Sequence, residues 1–125
     1  MDKQLTVLTD DCAKKIKAID DTMYILGGKW KVSIIARLCY KPMRYSELLK
    51  NIKGISGKML SRELQELEIN GLINREVLTT KPLSVSYRIS EHGKTLRLLT
   101  NSISEWGLLH REKILKSFVE VPEKE

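Results

Sequence analysis

From Asp10 to Leu26 the apolar residues Ile16, Ile19, Met23 and Leu26 recur at spacings of three, four and three, which is one face of an amphipathic helix. Thr9, Asp10 and Asp11 can cap its start, and Gly27-Gly28 ends it. A second helix is predicted from about Lys29 to Tyr40, with Trp30, Ile34 and Leu38 in one row and Ile35 beside Cys39. Lys41-Pro42 closes it, because the residue before a proline is pushed out of the helical region. A short extended piece at Met43-Arg44-Tyr45 leads into Ser46 to Ile52, a helix of barely two turns stopped by Gly54. Ser56 stands as N-cap of a longer helix through about Asn70, whose inward stripe is Leu60, Leu64 and Leu67 and whose stop is Gly71.

The period then changes. Leu72 to Leu78 is rich in β-formers and Val85 to Ile89 alternates with period two, so the pair predicts a hairpin across the polar loop Thr79 to Ser84. From Ser90, another N-cap candidate, a long helix carries Leu96, Leu99, Ile103 and Trp106 on one face, and Ile114, Leu115 and Phe118 extend it past Gly107. The tail from Val121 to Glu125 is expected to fray. Two short helices around a glycine-containing turn make a helix-turn-helix, and a hairpin directly after it makes a wing. The predicted fold class is mainly α with a small β-hairpin wing, a winged helix-turn-helix in one domain spanning residues 1–125.

Composition narrows the classes. The chain has 125 residues, of which 42% are hydrophobic and 30% charged, the balance of a soluble domain with a core of its own. No apolar run approaches the roughly 18 residues of a membrane span, and Met1-Asp2-Lys3-Gln4 lacks the order of a signal peptide. The expected location is the cytoplasm, with no membrane partner. Cys12 and Cys39, like His92 and His110, are too few and too far apart for a disulfide framework or a metal cluster, so no metal or other cofactor is expected. No nucleophile set, phosphate loop or carboxylate pair at catalytic spacing stands out, and an enzyme is not expected.

The net charge of +6 is unevenly placed. Residues 1–28 hold four Lys/Arg and five Asp/Glu, residues 29–97 fourteen and six, and residues 98–125 four and five. A basic middle between near-neutral ends fits a surface for a polyanion, with ordinary solubility charge as the alternative.

The strings Gly27-Gly28-Lys29-Trp30-Lys31, Arg44-Tyr45-Ser46-Glu47-Leu48, Gly54 to Ser61, Leu64 to Glu68, Asn70-Gly71-Leu72-Ile73, Val85-Ser86-Tyr87, Glu91-His92-Gly93-Lys94 and Glu105-Trp106-Gly107, in this order and spacing, carry a family resemblance. From about Gly27 to His110 the chain resembles the HxlR family of bacterial transcriptional regulators, related in fold to the MarR group. The resemblance implies a homodimeric winged-helix protein that binds double-stranded DNA, with residues 1–28 as a dimerisation helix, 29–90 as DNA-binding core and wing, and 91–120 as C-terminal helix.

The residues themselves supply a mechanism. The major groove admits one α-helix, whose first turns approach the base edges. Near that end of the Ser56 to Asn70 helix, the residues not needed for the core stripe are Ser56, Gly57, Lys58, Ser61, Arg62 and Gln65. Arg62 can read guanine and Gln65 adenine through paired hydrogen bonds, Ser61 suits base or phosphate, and Lys58 with the helix N-terminus suits a phosphate. Gly57 leaves room for close approach, and Met59 either touches a thymine methyl or covers the core. In the wing, Lys81 and Ser84 can reach backbone or minor groove, and Arg44 is a candidate phosphate clamp. For each of these the alternative is a solvated surface, and the rival function is a winged-helix module for protein or RNA.

Ile16, Ile19 and Met23, with Leu99, Ile103 and Trp106, exceed what one small core is expected to bury and are candidates for the dimer interface, intramolecular packing being the alternative. The resemblance also implies that some members sense oxidants through a cysteine just before the Gly-Gly-Lys-Trp string. That spacing reaches Lys17 here and Cys12 lies five residues earlier, so redox sensing at Cys12 is a candidate role without support from register. Its neighbours Lys14 and Lys15 favour a thiolate. Cys39 reads as a small core residue. A small-molecule or oxidant effector is compatible with the sequence, which names none.

Overall fold

The computed structural model describes residues 9–79 and 84–123. In chain order it runs α1 (Asp10–Leu26), α2 (Lys31–Tyr40), β1 (Met43–Arg44), α3 (Tyr45–Asn51), α4 (Gly57–Ile69), β2 (Ile73–Leu78), β3 (Ser84–Ile89), a 3-10 turn (Gly93–Leu96) and α5 (Arg97–Glu123). It is the winged helix-turn-helix expected from the pattern.

The caps explain most boundaries. Thr9 Oγ1 accepts the backbone N–H of Cys12 at 3.1 Å, and Ser56 Oγ that of Met59 at 3.1 Å, each satisfying a helix-end donor that has no partner within its helix. At the far end of α4 the N–H of Leu72 reaches the carbonyl of Leu67 at 3.0 Å and that of Gly71 reaches Glu68 at 2.9 Å. This Schellman closure needs the left-handed φ of 72° that Gly71 supplies. Helix α2 starts two residues later than its apolar row predicts, with Trp30 as N-cap.

Further details depart from the sequence reading. Tyr45 opens α3 instead of ending the extended piece, because the Glu47 carboxylate accepts the backbone N–H of Arg44 at 2.9 Å and fixes the helix start there. Met43 and Arg44 pair with Tyr87 and Ser86, so the predicted hairpin is two strands of a three-stranded antiparallel sheet ordered β1-β3-β2. Ser90 caps a 3-10 turn before α5 begins: its Oγ accepts the Gly93 N–H at 2.9 Å and donates to the Gly71 carbonyl at 2.7 Å. Beyond it, α5 continues through Gly107 and reaches Glu123, past the expected start of fraying at Val121.

The core is made by α2, α3, α4 and the base of the sheet. Ile34, Ile35, Leu38, Leu48, Leu60, Leu64, Leu67 and Ile73 are fully buried. Arg37 ties α2 to the end of α3 through Asn51 Oδ1 at 2.6 Å. By contrast α1 buries only Leu26, and none of the described residues of α5 is buried, although the helix spans roughly 40 Å at 1.5 Å per residue. These two helices flank the domain without completing it.

Candidate nucleic-acid interface

The inward row of α4 is Leu60, Leu64 and Leu67, anchored in the core, so the helix cannot rotate without unburying them. Helical periodicity then fixes what faces away. Lys58, Ser61, Arg62 and Gln65 are all exposed, at spacings of three and four that put them on one outward face. Met59 is half-buried against the core, which favours its covering role.

The first turn of α4 is held from outside by Tyr45. Its hydroxyl donates to the Gly57 carbonyl at 2.9 Å and lies 3.2 Å from Ser61 Oγ. A Cβ at Gly57 would stand 3.2 Å from that hydroxyl, so the room at this glycine borders Tyr45. Tyr45 thereby brings the N-termini of α3 and α4 together, with Arg44 exposed beside them. The sequence reading missed this role for Tyr45, although an aromatic one residue after the candidate clamp was visible. Ser56 spends its acceptor on the cap.

Behind the outward face sits an ion cluster that the sequence reading also missed. Lys31, at the first position of α2, and Glu63, on α4, are buried, with Lys31 Nζ 3.0 Å from Glu63 Oε2 and 2.6 Å from Glu66 Oε1. The other oxygen of Glu66 lies 3.5 Å from Arg62 Nε. Burial opposes the charge on Lys31, but the hydrogen bonds its ammonium donates to Glu66 and Glu63 outweigh it and raise its pKa above 10.5. Glu66 titrates below 4.5, chiefly through its hydrogen bond and charge contact with Lys31.

In the wing, Ser84 is the first residue of β3, half-buried opposite Leu78, while Lys81 lies outside the described residues. Arg75 and Arg88 are exposed on the wing strands and add positive charge that the loop-centred reading passed over.

On α1 and α5, Ile16, Ile19, Met23, Leu99, Ile103 and Trp106 are exposed, and Trp106 stacks on His110 with ring centroids 4.9 Å apart. Ile19, Met23, Leu26, Val32, Leu99 and Ile103 line an apolar groove of about 370 Å³ between α1, α2 and α5. Cys12 is exposed in the first turn of α1, and Cys39 is half-buried against the core. Among the described residues no His, Cys, Asp and Glu side chains gather into a metal-binding group, and no helix is long and apolar enough to cross a membrane.

The sequence profile of the HxlR-like helix-turn-helix family matches residues 25–114. The chain belongs to that family. Over 98 residues this HxlR-like protein is 40% identical to the HTH-type transcriptional regulator YdzF of Bacillus subtilis, covering 78% of the chain and 90% of YdzF. The reduced form of the redox regulator HypR superposes with a TM-score of 0.73 at 32% identity, covering 80% of this chain and 98% of HypR. A MarR-family transcriptional regulator from Porphyromonas gingivalis W83 gives 0.71 at 30% identity, over 82% of this chain and 95% of that one. The HxlR-like chain is accordingly a DNA-binding transcriptional regulator, in a non-enzymatic family, on a fold shared with MarR-family structures.

Proposed function

We propose that this regulator binds a pseudo-palindromic operator as a homodimer, with the outward face of α4 in the major groove and the wing loop, residues 79–84, on the backbone or minor groove. The observation that carries the reading is the exposed row of Lys58, Ser61, Arg62 and Gln65 on a helix locked by its opposite face. Arg62 and Gln65 read bases; Ser61 serves base or phosphate; Arg44, Lys58 and the α4 N-terminus at Ser56 and Gly57 hold phosphates, with Lys81 and Ser84 in the wing. The chain then divides as 1–28 for dimerisation, 29–90 for DNA, and 91–120 as the C-terminal helix.

Arg62→Ala is expected to cost about 1–3 kcal/mol and to relax specificity at one position per half-site, whereas Lys81→Ala weakens all duplexes alike and lowers the salt slope by about one. Binding of the wild type to its own upstream region and to random duplex, titrated across salt, checks both. Equal affinity for the two at near-physiological salt removes the specific-regulator reading, and preference for RNA over either duplex replaces it with the RNA-binding one.

One recognition helix contacts few base pairs, and two-fold pairing doubles the contacts across half-sites about 34 Å apart. The exposed apolar rows of α1 and α5, outside the core, with Ile19, Met23, Leu99 and Ile103 lining one groove, support pairing through these four together with Ile16 and Trp106. Ile103→Glu places a charge in that contact. It is expected to give a folded monomer in analytical ultracentrifugation with operator affinity down at least about 10-fold. An Ile103→Glu protein that stays dimeric sinks this interface.

The redox character of HypR makes Cys12, exposed on the proposed dimer helix, the thiol to test for an oxidant response. A diamide-induced change in DNA affinity that is lost in Cys12→Ser assigns the role. An affinity unchanged by diamide dismisses it.

A further inference from the structure

We infer that Glu66, anchored by Lys31, is a positioning residue that presents Arg62 to DNA, an inference that rests on the proposed reading of α4. The two oxygens of Glu66 are divided between two cations: Oε1 lies 2.6 Å from the buried ammonium of Lys31, and Oε2 lies 3.5 Å from Nε of the exposed Arg62. Lys31 cannot follow solvent, because its side chain is 10% exposed and its ammonium is also held by Glu63 at 3.0 Å. Glu66, partly exposed, is therefore the outer end of a fixed support, and the exposed Arg62 is the group it presents outward.

Which nitrogen is taken matters. Glu66 accepts from Nε, the inner side of the guanidinium, and the two terminal nitrogens donate no hydrogen bond among the described residues. Those terminal groups are the fork that reads O6 and N7 of guanine together. A long side chain otherwise loses several rotatable bonds' worth of entropy on binding, and a partner that holds the inner nitrogen beforehand reduces that loss. The same carboxylate repels phosphates, so it penalises any register in which Arg62 drops onto the backbone instead of a base edge. Glu66 thus trades general affinity for discrimination.

The test uses the full chain and a duplex library with a randomised core, with wild type, Glu66→Gln, Arg62→Ala, the double variant, and Glu68→Gln as a control for lost charge on an exposed position of the same helix. Glu66→Gln is expected to bind unselected duplex more tightly than wild type while its preference at the Arg62-dependent position falls roughly 5-fold, within the range such contacts provide. In the Arg62→Ala background the same change leaves the sequence profile where Arg62→Ala alone put it, and Glu68→Gln keeps the wild-type profile. Overturning results are a Glu66→Gln profile equal to wild type, a loss of preference that persists without Arg62, or an equal loss in Glu68→Gln. Wild type that enriches no sequence is a different result, since it removes the DNA reading itself.

Discussion

Lys31→Met is expected to destabilise the domain by about 3–5 kcal/mol, the cost of breaking a buried ion pair by removing one partner. Lys31 and Glu63 are 8% and 6% exposed, so the variant strands a carboxylate between α2 and α4 with no other cation paired to its Oε2 among the described residues. Methionine fills the lysine stem's volume, which confines the loss to the charge. Removing both charges, as Lys31→Met with Glu63→Met, is expected to recover most of the stability, because the desolvation cost disappears with the attraction. Urea melts of the three proteins decide it. A single variant as stable as wild type, or a double variant no better than the single, refutes the account.

The same cluster sets a pH signature. Glu66 is held below 4.5, so its contribution is complete above that value and is lost as pH falls through the lowered folded value. Lys31 is held above 10.5, so its contribution is complete below that value and is lost as pH rises through the raised one. Wild-type stability should therefore fall on both flanks through this cluster, and Lys31→Met should flatten the acid flank that Glu66 contributes.

What the sequence discloses here follows from how local each cause is. Helix ends are legible because Thr9, Ser56 and Gly71 act within a few residues of themselves. The pairing of Met43 and Arg44 with β3 is not, since a two-residue strand has no period and its partners lie more than forty residues away. Lys31 and Glu63 left a trace that charge counting overlooked. Lys31 is three and four residues before the buried Ile34 and Ile35, and Glu63 is three after Leu60 and four before Leu67, so both stand on inward stripes. Opposite charges on the inward faces of two packed helices are a pair in waiting. The outward residues Lys58, Arg62 and Gln65 were legible by subtraction from the core stripe. The support behind Arg62 was not, because it runs through Glu66 to a different helix. Surplus apolar residues on α1 and α5 could be counted from sequence, and the structure adds that Ile16, Ile19, Met23, Leu99, Ile103 and Trp106 stay exposed among the described residues.

Gly93→Ala is the other change expected to be severe, and for a reason that has nothing to do with backbone freedom. Gly93 lacks the positive φ of Gly71, so alanine is conformationally acceptable there. Space is what it lacks: a Cβ would overlap the carbonyl oxygen of Leu72 and stand 2.8 and 2.9 Å from Cδ1 and Cγ1 of Ile89. The Ile89 side chain can yield, but the Leu72 carbonyl cannot easily, because it accepts the N–H of Ser90 at 3.0 Å while Ser90 Oγ donates to Gly71 at 2.7 Å. Those bonds close the joint at which the end of α4, the wing and the start of α5 meet. Relieving the clash pulls the 3-10 turn away from it, at about 3 kcal/mol, the upper part of the range for overpacking, or a drop of roughly 10 °C in Tm. Calorimetry of Gly93→Ala beside Gly107→Ala makes the comparison internal, since a Cβ at Gly107 meets nothing within 4 Å and alanine there suits a helix interior. Gly107→Ala should hold or raise Tm. If Gly93→Ala melts with it, the joint is looser than its contacts imply, and the tie between α4 and α5 is not made there.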